Sequence, residues 1–332
     1  MAVEALVADI ISVGLGAFLL FLIYLQQLQR MTGPVVAHVA PNGMVGKAFV
    51  PIFIEAVVEG EIAKLKLITS KETEILKEAV ASAPSDKVEL IVVDYKNKSA
   101  LLAALQLTDV VVSTMGGQGA SVGSEQALIK AASEAQVKVY FNSDFGSDYD
   151  EGTWGAASWE AKKAHAATAR AFGLKTVSIS NGVLMPFLRI PVLGVNGSEW
   201  EIIEDGNYSF ALTHLPDVAR YTLRAIILAY EDPSCIPDRV RVYSDAKTMN
   251  EYASIVERLT NTPVTRKYVP RAQLIVEWER SIGKNERPPL FLRIVAGTSA
   301  TNFLGREHNE LLNPGQKYFK PVSFEDFVKS TL

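Results

Sequence analysis

From Pro34 onward, short apolar runs alternate with stretches of helical periodicity, and this rhythm restricts the fold of the 332-residue chain more than any other feature. "VVAHVA", "LKLITS", "VELIVVDY", "DVVVSTM", "VKVYFNS" and "LKTVSISN" read as strands. Between them "MVGKAFVPIFIEAVVEG", "ETEILKEAVASA", "KSALLAALQ", "SEQALIKAASEAQ" and "SWEAKKAHAATARAFG" read as helices. Pro51 is expected to bend or interrupt the first helix, and Gly173 closes the last. Nearly continuous apolar strands joined by helices of this length imply parallel βαβ units and a doubly wound α/β sheet. Right-handed crossovers then put the ligand site at the carboxyl ends of the strands. After Asn181 the rhythm changes. "PFLRIPVLGVNGSEWEIIEDGNYSFALTH" is rich in loops and turns, "LPDVARYTLRAIILAYED" is one amphipathic helix, and "RVRVYSD" reads as a last strand of the main sheet.

The first turn of this series, in "VVAHVAPNGMVGKAFV", resembles a dinucleotide-binding glycine loop with one glycine replaced. Such loops use one glycine for the tight turn, a second for close approach of the backbone to a pyrophosphate, and a third for helix–strand packing. Gly43 and Gly46 stand at the later positions and Ala40 at the first. The helix that follows would offer the free N–H groups of its first residues, Met44 and Val45, to phosphate. Taken alone, an Asn-Gly turn before a helix is common; its place after the first strand of a βαβ series is what points to a dinucleotide. The second strand ends "ITSKE", without an acidic residue to hold a ribose 2′-hydroxyl. Ser70 and Lys71 suit a 2′-phosphate, so NADP is expected over NAD, although Glu72 stands beside them. The expected division is a cofactor-binding part over 31–187 and a mainly substrate-covering α/β subdomain over 188–332, with 215–245 returning to the first part.

Before this core lies an uncharged, mostly apolar run from Ile10 to Leu25, extended toward residue 28 by glutamines. It is intermediate between a bilayer span and a core helix. Residues 1–30 are expected to form an apolar helix that anchors the chain to a membrane, with Arg30 and Lys47 keeping the main part in the cytoplasm. A helix packed on the protein, or a stretch read through from an upstream start before Met31, remains open. A net charge of −4 without a long basic run argues against nucleic acid as a partner. The single cysteine, Cys235, and four scattered histidines exclude an internal disulfide and give no spaced metal motif, so no metal is expected.

Four segments, "VVAHVAPNGMVGKAFV", "VVDYKNKSALLAALQLTDVVVSTMGG", "QALIKAASEAQVKVYFNSDFGSD" and "NELLNPGQKYFKPVSFEDFVKSTL", together resemble the NmrA-like and isoflavone reductase-like proteins, atypical short-chain dehydrogenases/reductases. The resemblance covers about Pro34 to Leu332. It implies a Rossmann fold, NADPH as cofactor and a small carboxy-terminal substrate domain. The family's glycine loop falls on Ala40, Asn42, Gly43 and Gly46, and its basic 2′-phosphate residue on Ser70 or Lys71. Asp94 matches the acidic residue after the third strand. Ser113, Thr114, Met115 and Gly116 match the loop passing the nicotinamide, and Gln126 the glutamine that opens the next helix. "NSDFG", beginning Asn142 and Ser143, takes the place of Pro-Ser-Glu-Phe-Gly. Counted back from Gly173, the family's active-site lysine falls on Lys162, near the nicotinamide. Ala40, Asn42, Asn142 and Asp144 depart from the family's pattern.

The Tyr-x-x-x-Lys pair of ordinary short-chain dehydrogenases occurs only at Tyr243 and Lys247, far along the chain from the cofactor elements, and reads as chance. Lys162 is then the expected proton donor, given burial or a neighbouring charge to lower its pKa. Lysines on a polar helix face such as "EAKKAHAATAR" are otherwise simply solvated, and His165 one turn on reads as a surface residue. Two functions stay open. One is an NAD(P)H-dependent oxidoreductase reducing a small aromatic or enone-bearing metabolite. The other is a dinucleotide-sensing regulator of the NmrA type, without turnover.

Overall fold

The computed structural model describes residues 33–116, 120–189, 193–283 and 288–332. The expected anchor over residues 10–28 lies outside them, and among the described residues no helix is long and apolar enough to cross a membrane. The expectation of a cytoplasmic domain anchored to a membrane is overturned on that finding, and the apolar amino-terminal helix has no support in the described fold.

The first half alternates as its periodicity requires: β1 (Val35–Val39), α1 (Met44–Val58), β2 (Lys64–Thr69), α2 (Glu74–Ala81), β3 (Val88–Val92), α3 (Lys98–Ala104), β4 (Val110–Ser113), α4 (Ala120–Glu134), β5 (Val139–Gly146), α5 (Ala157–Ala171) and β6 (Lys175–Ser180). These strands form one parallel sheet in the order β3-β2-β1-β4-β5-β6. A seventh strand, β11 (Arg239–Arg241), adds to its edge beside β6. The order reverses between β1 and β4, and this switch point opens a crevice above the carboxyl ends of those two strands.

Helices cover both faces. On one, α1 presents Phe49, Phe53, Ala56 and Val57 to the sheet, where α6 (Leu215–Glu231) joins them with Val218, Tyr221 and Ile226. On the other, Leu101 of α3, Leu128 and Ile129 of α4 and Ala169 of α5 pack on Ala37, Val39 and Val111. Contrary to expectation, α1 runs unbroken through Pro51. Pro51 and Lys47, one turn earlier, both lie on its exposed face, where water can replace the missing N–H donor.

The stretch after Asn181 is more ordered than its turn-rich sequence suggests. It contributes β7 (Val183–Leu184), β8 (Val195–Asn196), β9 (Glu199–Ile203) and β10 (Ser209–Thr213). With β12 (Asp245–Thr248) and β13 (Thr265–Val269) these form two small sheets, β12-β10-β7 and β13-β9-β8. Trp200, Phe210 and Tyr252 lie in their core, with α7 (Met249–Thr260) and α11 (Phe324–Lys329) packed against it. Glycines and Asn207 punctuate strands too short to announce themselves by alternation.

Candidate active site

A cavity of about 440 Å³ occupies the crevice at the switch point. Ala40, Asn42, Gly43, Met44 and Val45 line one end, Thr69, Ser70 and Tyr95 a side, and Thr114, Gly116, Ser143, Phe145 and Lys162 the other end.

The loop end is built from backbone. Ala40 adopts φ +64°, the left-handed conformation that a first-position glycine would take without penalty. Gly43 caps α1 in extended conformation without a side-chain cap bond, and the first turn carries no acidic residue. The leading N–H groups of α1 are thus turned to the cavity mouth with no carboxylate competing for them. A Cβ on Gly43 would meet nothing closer than the Thr114 carbonyl at 3.9 Å, so any larger side chain would grow into open space beside the loop. A Cβ on Gly46 would sit 2.7 Å from the Ala40 carbonyl and 2.8 Å from both Pro41 Cα and Thr114 Oγ1. Gly46 is therefore the residue that lets helix and strand close up.

Thr114 fastens this loop to the next. Its one hydroxyl proton is shared between the carbonyls of Val39 at 2.9 Å and Ala40 at 3.0 Å. His38 Nε2, 3.0 Å away, must then carry a proton and donate to the Thr114 oxygen. His38 is fully buried between Phe49 and Phe53, and burial lowers its pKa to about 3, so it stays neutral. Asn42 fixes the other side of the loop. Its amide donates to Thr69 Oγ1 and to the Lys71 carbonyl, both at 2.8 Å, and accepts from Thr73 at 3.0 Å.

The opposite end is built from side chains. Lys162 projects from α5 with its ammonium 5.7 Å from the centre of the Tyr149 ring. Burial lowers its pKa, while the negative charges of Asp144 and then Glu125 pull it back up. Asp144 is fully buried; it pairs with Arg239 Nη1 at 2.8 Å and accepts from Asn142 at 2.6 Å. A register shift between Asn142 and Gly146 at the end of β5 turns this segment toward α5, and Asn142 also donates to the Lys162 carbonyl at 3.2 Å. The Ser143 hydroxyl donates to the Met115 carbonyl at 2.6 Å, tying β5 to the loop after β4.

Of the residues singled out in the sequence, Ala40, Asn42, Gly43, Met44, Val45, Ser70, Thr114, Ser143 and Lys162 come together around this cavity, with Gly46 directly behind its loop. Others do not face it. The Lys71 side chain is exposed away from the lining, and its carbonyl is what engages Asn42. Asp94 is exposed and accepts from the Lys96 N–H at 3.0 Å, holding the turn that carries Tyr95, the residue that does line the cavity. Ser113, Met115 and Asn142 are buried behind the wall: Ser113 Oγ donates to Glu125, the Met115 carbonyl accepts from Ser143, and Asn142 Nδ2 donates to Asp144. Gln126 is exposed while its neighbour Glu125 is buried, and His165 is buried, not on the surface. Sequence reasoning missed Thr69, Tyr95 and Glu125; an aromatic one residue past Asp94 was the one available signal. Lys247 pairs with Asp245, and neither it nor Tyr243 lines the cavity. Among the described residues no group of three or more His, Cys, Asp or Glu is placed to hold a metal.

A family model described as NmrA-like family matches residues 36–287, most of the chain. The chain belongs to the NmrA-like family. Phenylcoumaran benzylic ether reductase Pyrc5 of Pyrus communis is 32% identical over 202 residues, 57% of this chain and 63% of that protein. The matched region therefore spans less than two thirds of the pear relative's length. Eugenol synthase 1 of Petunia hybrida is 25% identical over 247 residues, covering 71% of this chain and 76% of that protein. Among solved structures, an isoflavone reductase superposes with TM-score 0.72 at 18% identity, over 91% of this chain and 100% of that one. AtPrR2, solved with NADP+ and (+)pinoresinol, gives 0.74 at 19%, over 90% and 99%. These likenesses establish the Rossmann-type fold of this NmrA-like chain.

Proposed function

We propose that this NmrA-like protein is an NADPH-dependent reductase of a small aromatic metabolite, with Lys162 as the proton donor. The observation that carries this reading is one cavity running from an uncapped helix amino terminus and close-packed glycine loop to a lysine whose pKa burial depresses. The named activity of the pear relative, a benzylic ether reductase, supports the same reaction class. The protein divides into a cofactor part over 31–187 and a substrate part over 188–332, with 215–245 serving the first.

The chain fits NADPH at the positions that its cavity exposes. The N–H groups of Met44 and Val45 would hold the pyrophosphate, and the absence of a side chain on Gly43 would give it room. Ser70 would hold the 2′-phosphate, and no carboxylate among the described residues lines that side to favour NADH. Tyr95 closes the side of the cavity beside Ser70. Thr114, Gly116 and Ser143 border the reacting end. When bound there, NADPH would supply the hydride. Lys162 gives its ammonium proton to the substrate oxygen or carbon that gains the electron pair and is left as the neutral amine. Phe145 beside it offers an apolar surface to an aromatic ring.

A sensor without turnover would have no need of open space at Lys162, and the cavity reaches that residue. The test is titration of the full chain with NADPH and NADH, followed by oxidation of NADPH against aromatic ketones, enones and benzylic ethers. Tighter binding of NADPH with turnover of one class is expected. Tight binding with no turnover of any class would favour the sensor.

A further inference from the structure

Behind the reacting end lies a buried acid that the proposed reaction does not touch. Glu125 stands on α4 with 2% of its surface exposed. Its two oxygens are taken separately: Ser113 Oγ on β4 donates to one at 2.8 Å, and Tyr140 on β5 donates to the other at 2.5 Å. Two hydroxyl donors and no acceptor make this a cradle for a carboxylate. A buried carboxylate also needs a positive charge. Asp144, the other acid near Lys162, already has Arg239 at 2.8 Å. No ion pair to Glu125 occurs among the described salt bridges, and the cation whose field reaches it is Lys162.

The position is also mechanically connected. The Ser113 oxygen that donates to Glu125 accepts the Met115 N–H at 3.4 Å, at the root of the loop whose Thr114 and Gly116 line the cavity. Burial raises the Glu125 pKa to about 7 against the hydrogen bonds from Tyr140 and Ser113, the attraction of Lys162 also opposing it and Asp144 adding to it.

We propose that Glu125 is a positioning residue for Lys162, a carboxylate cradled by Ser113 and Tyr140 whose charge adds to that of Asp144 in favouring the ammonium form from which the lysine donates its proton. This rests on the reductase reading for its purpose, though not for its measurement. The groups facing the pair are Asp144 and Tyr140 from β5, Ser113 from β4, Tyr149 from the β5–α5 connection, and Arg239 from β11 through Asp144. Above neutral pH Glu125 is ionised and favours Lys162 as the cation. Glu125→Gln keeps the shape and removes the charge, so Lys162 should lose its proton at lower pH.

The full-length protein is acetylated at trace levels over a pH series, and labelling of Lys162 is followed by mass spectrometry against Lys163 as internal reference. In Glu125→Gln the rise in Lys162 reactivity should come at lower pH. Tyr140→Phe should move it the same way by less, since losing that donor makes Glu125 harder to ionise. Where a substrate is in hand, kcat/KM of Glu125→Gln should fall several-fold at pH 9 and stay within about two-fold at pH 6, because only the protonated lysine can donate. An unmoved Lys162 profile in folded Glu125→Gln overturns the inference; should that variant not fold, an unmoved profile in Tyr140→Phe does so. A shifted profile without turnover of any substrate would uphold the coupling and count against the reductase.

Discussion

At the loop end of the cavity, Ala40 to Gly46 bring backbone to the open space; at the other end, Lys162 brings a charge that lies in the field of Asp144 and Glu125. The first end depends on what is missing: a Cβ at Gly43 and Gly46, a cap on α1, an acid in its first turn. The second depends on what is present and paired. Absences of this kind tolerate no side chain but need no partners. A charged side chain in a dry site is useful only while its neighbours keep the field balanced.

The difference can be broken most sharply at Lys162. Lys162→Ala should lower turnover by about 10²- to 10⁴-fold, the usual range for one general acid, with NADPH affinity within a few-fold. Steady-state kinetics beside a fluorescence titration separate the two, and a parallel loss of binding would make the two ends one unit. Next comes Asp144→Ala, which removes one partner of Arg239 and leaves it Asp148 at 3.4 Å and Asp150 at 3.1 Å. Breaking a buried pair costs about 3–5 kcal/mol when the remaining charge is left uncompensated; with two carboxylates still on Arg239, chemical denaturation should show a loss of about 1–3 kcal/mol. A loss under about 1 kcal/mol would mean that the network is well solvated. At the loop end, Gly43→Val should abolish measurable NADPH binding while leaving the melting temperature near that of the parent, because the β-branched side chain grows into the cavity and not into the core. Unchanged binding there would reduce the loop to a turn. The smallest effect is a gain. Ala40→Gly removes a left-handed strain of about 1–2 kcal/mol, offset in part by the greater freedom of glycine in the unfolded chain. A slightly higher melting temperature with NADPH binding retained is expected, and a lower one would show that the Ala40 methyl is needed.

The same contrast explains what could be read from the chain. The glycine loop was legible because its shape is written in consecutive residues at fixed spacing after a strand. Lys162 was legible only through family spacing from Gly173, since "EAKKAHAATAR" is indistinguishable from an ordinary solvated face. Glu125 was not legible at all. Beside Gln126 at the start of a helix it has no local mark, and its buried setting arises only when β4 and β5 bring Ser113 and Tyr140 to it. Lys71 and Asp94 show the opposite error: residues of apt charge at strand ends whose side chains turn to solvent, leaving Thr69 and Tyr95 facing the cavity. The small sheets after Asn181 were hidden by strands as short as two residues, which pair across distant segments such as Leu212 with Val183.

Strand β11 has a consequence for the order in which the chain is made. Asp144 and Asp148 are sealed in the sheet region before residue 187, but their cations, Arg239 and Arg241, are synthesised some ninety residues later. A growing chain that has already emitted β1 to β6 therefore holds two acids without their partners and a bare hydrogen-bonding edge along β6. Both are cured by the same three residues. On the ribosome the β1–β6 half must wait, open at one edge, for the arrival of Arg239–Arg241.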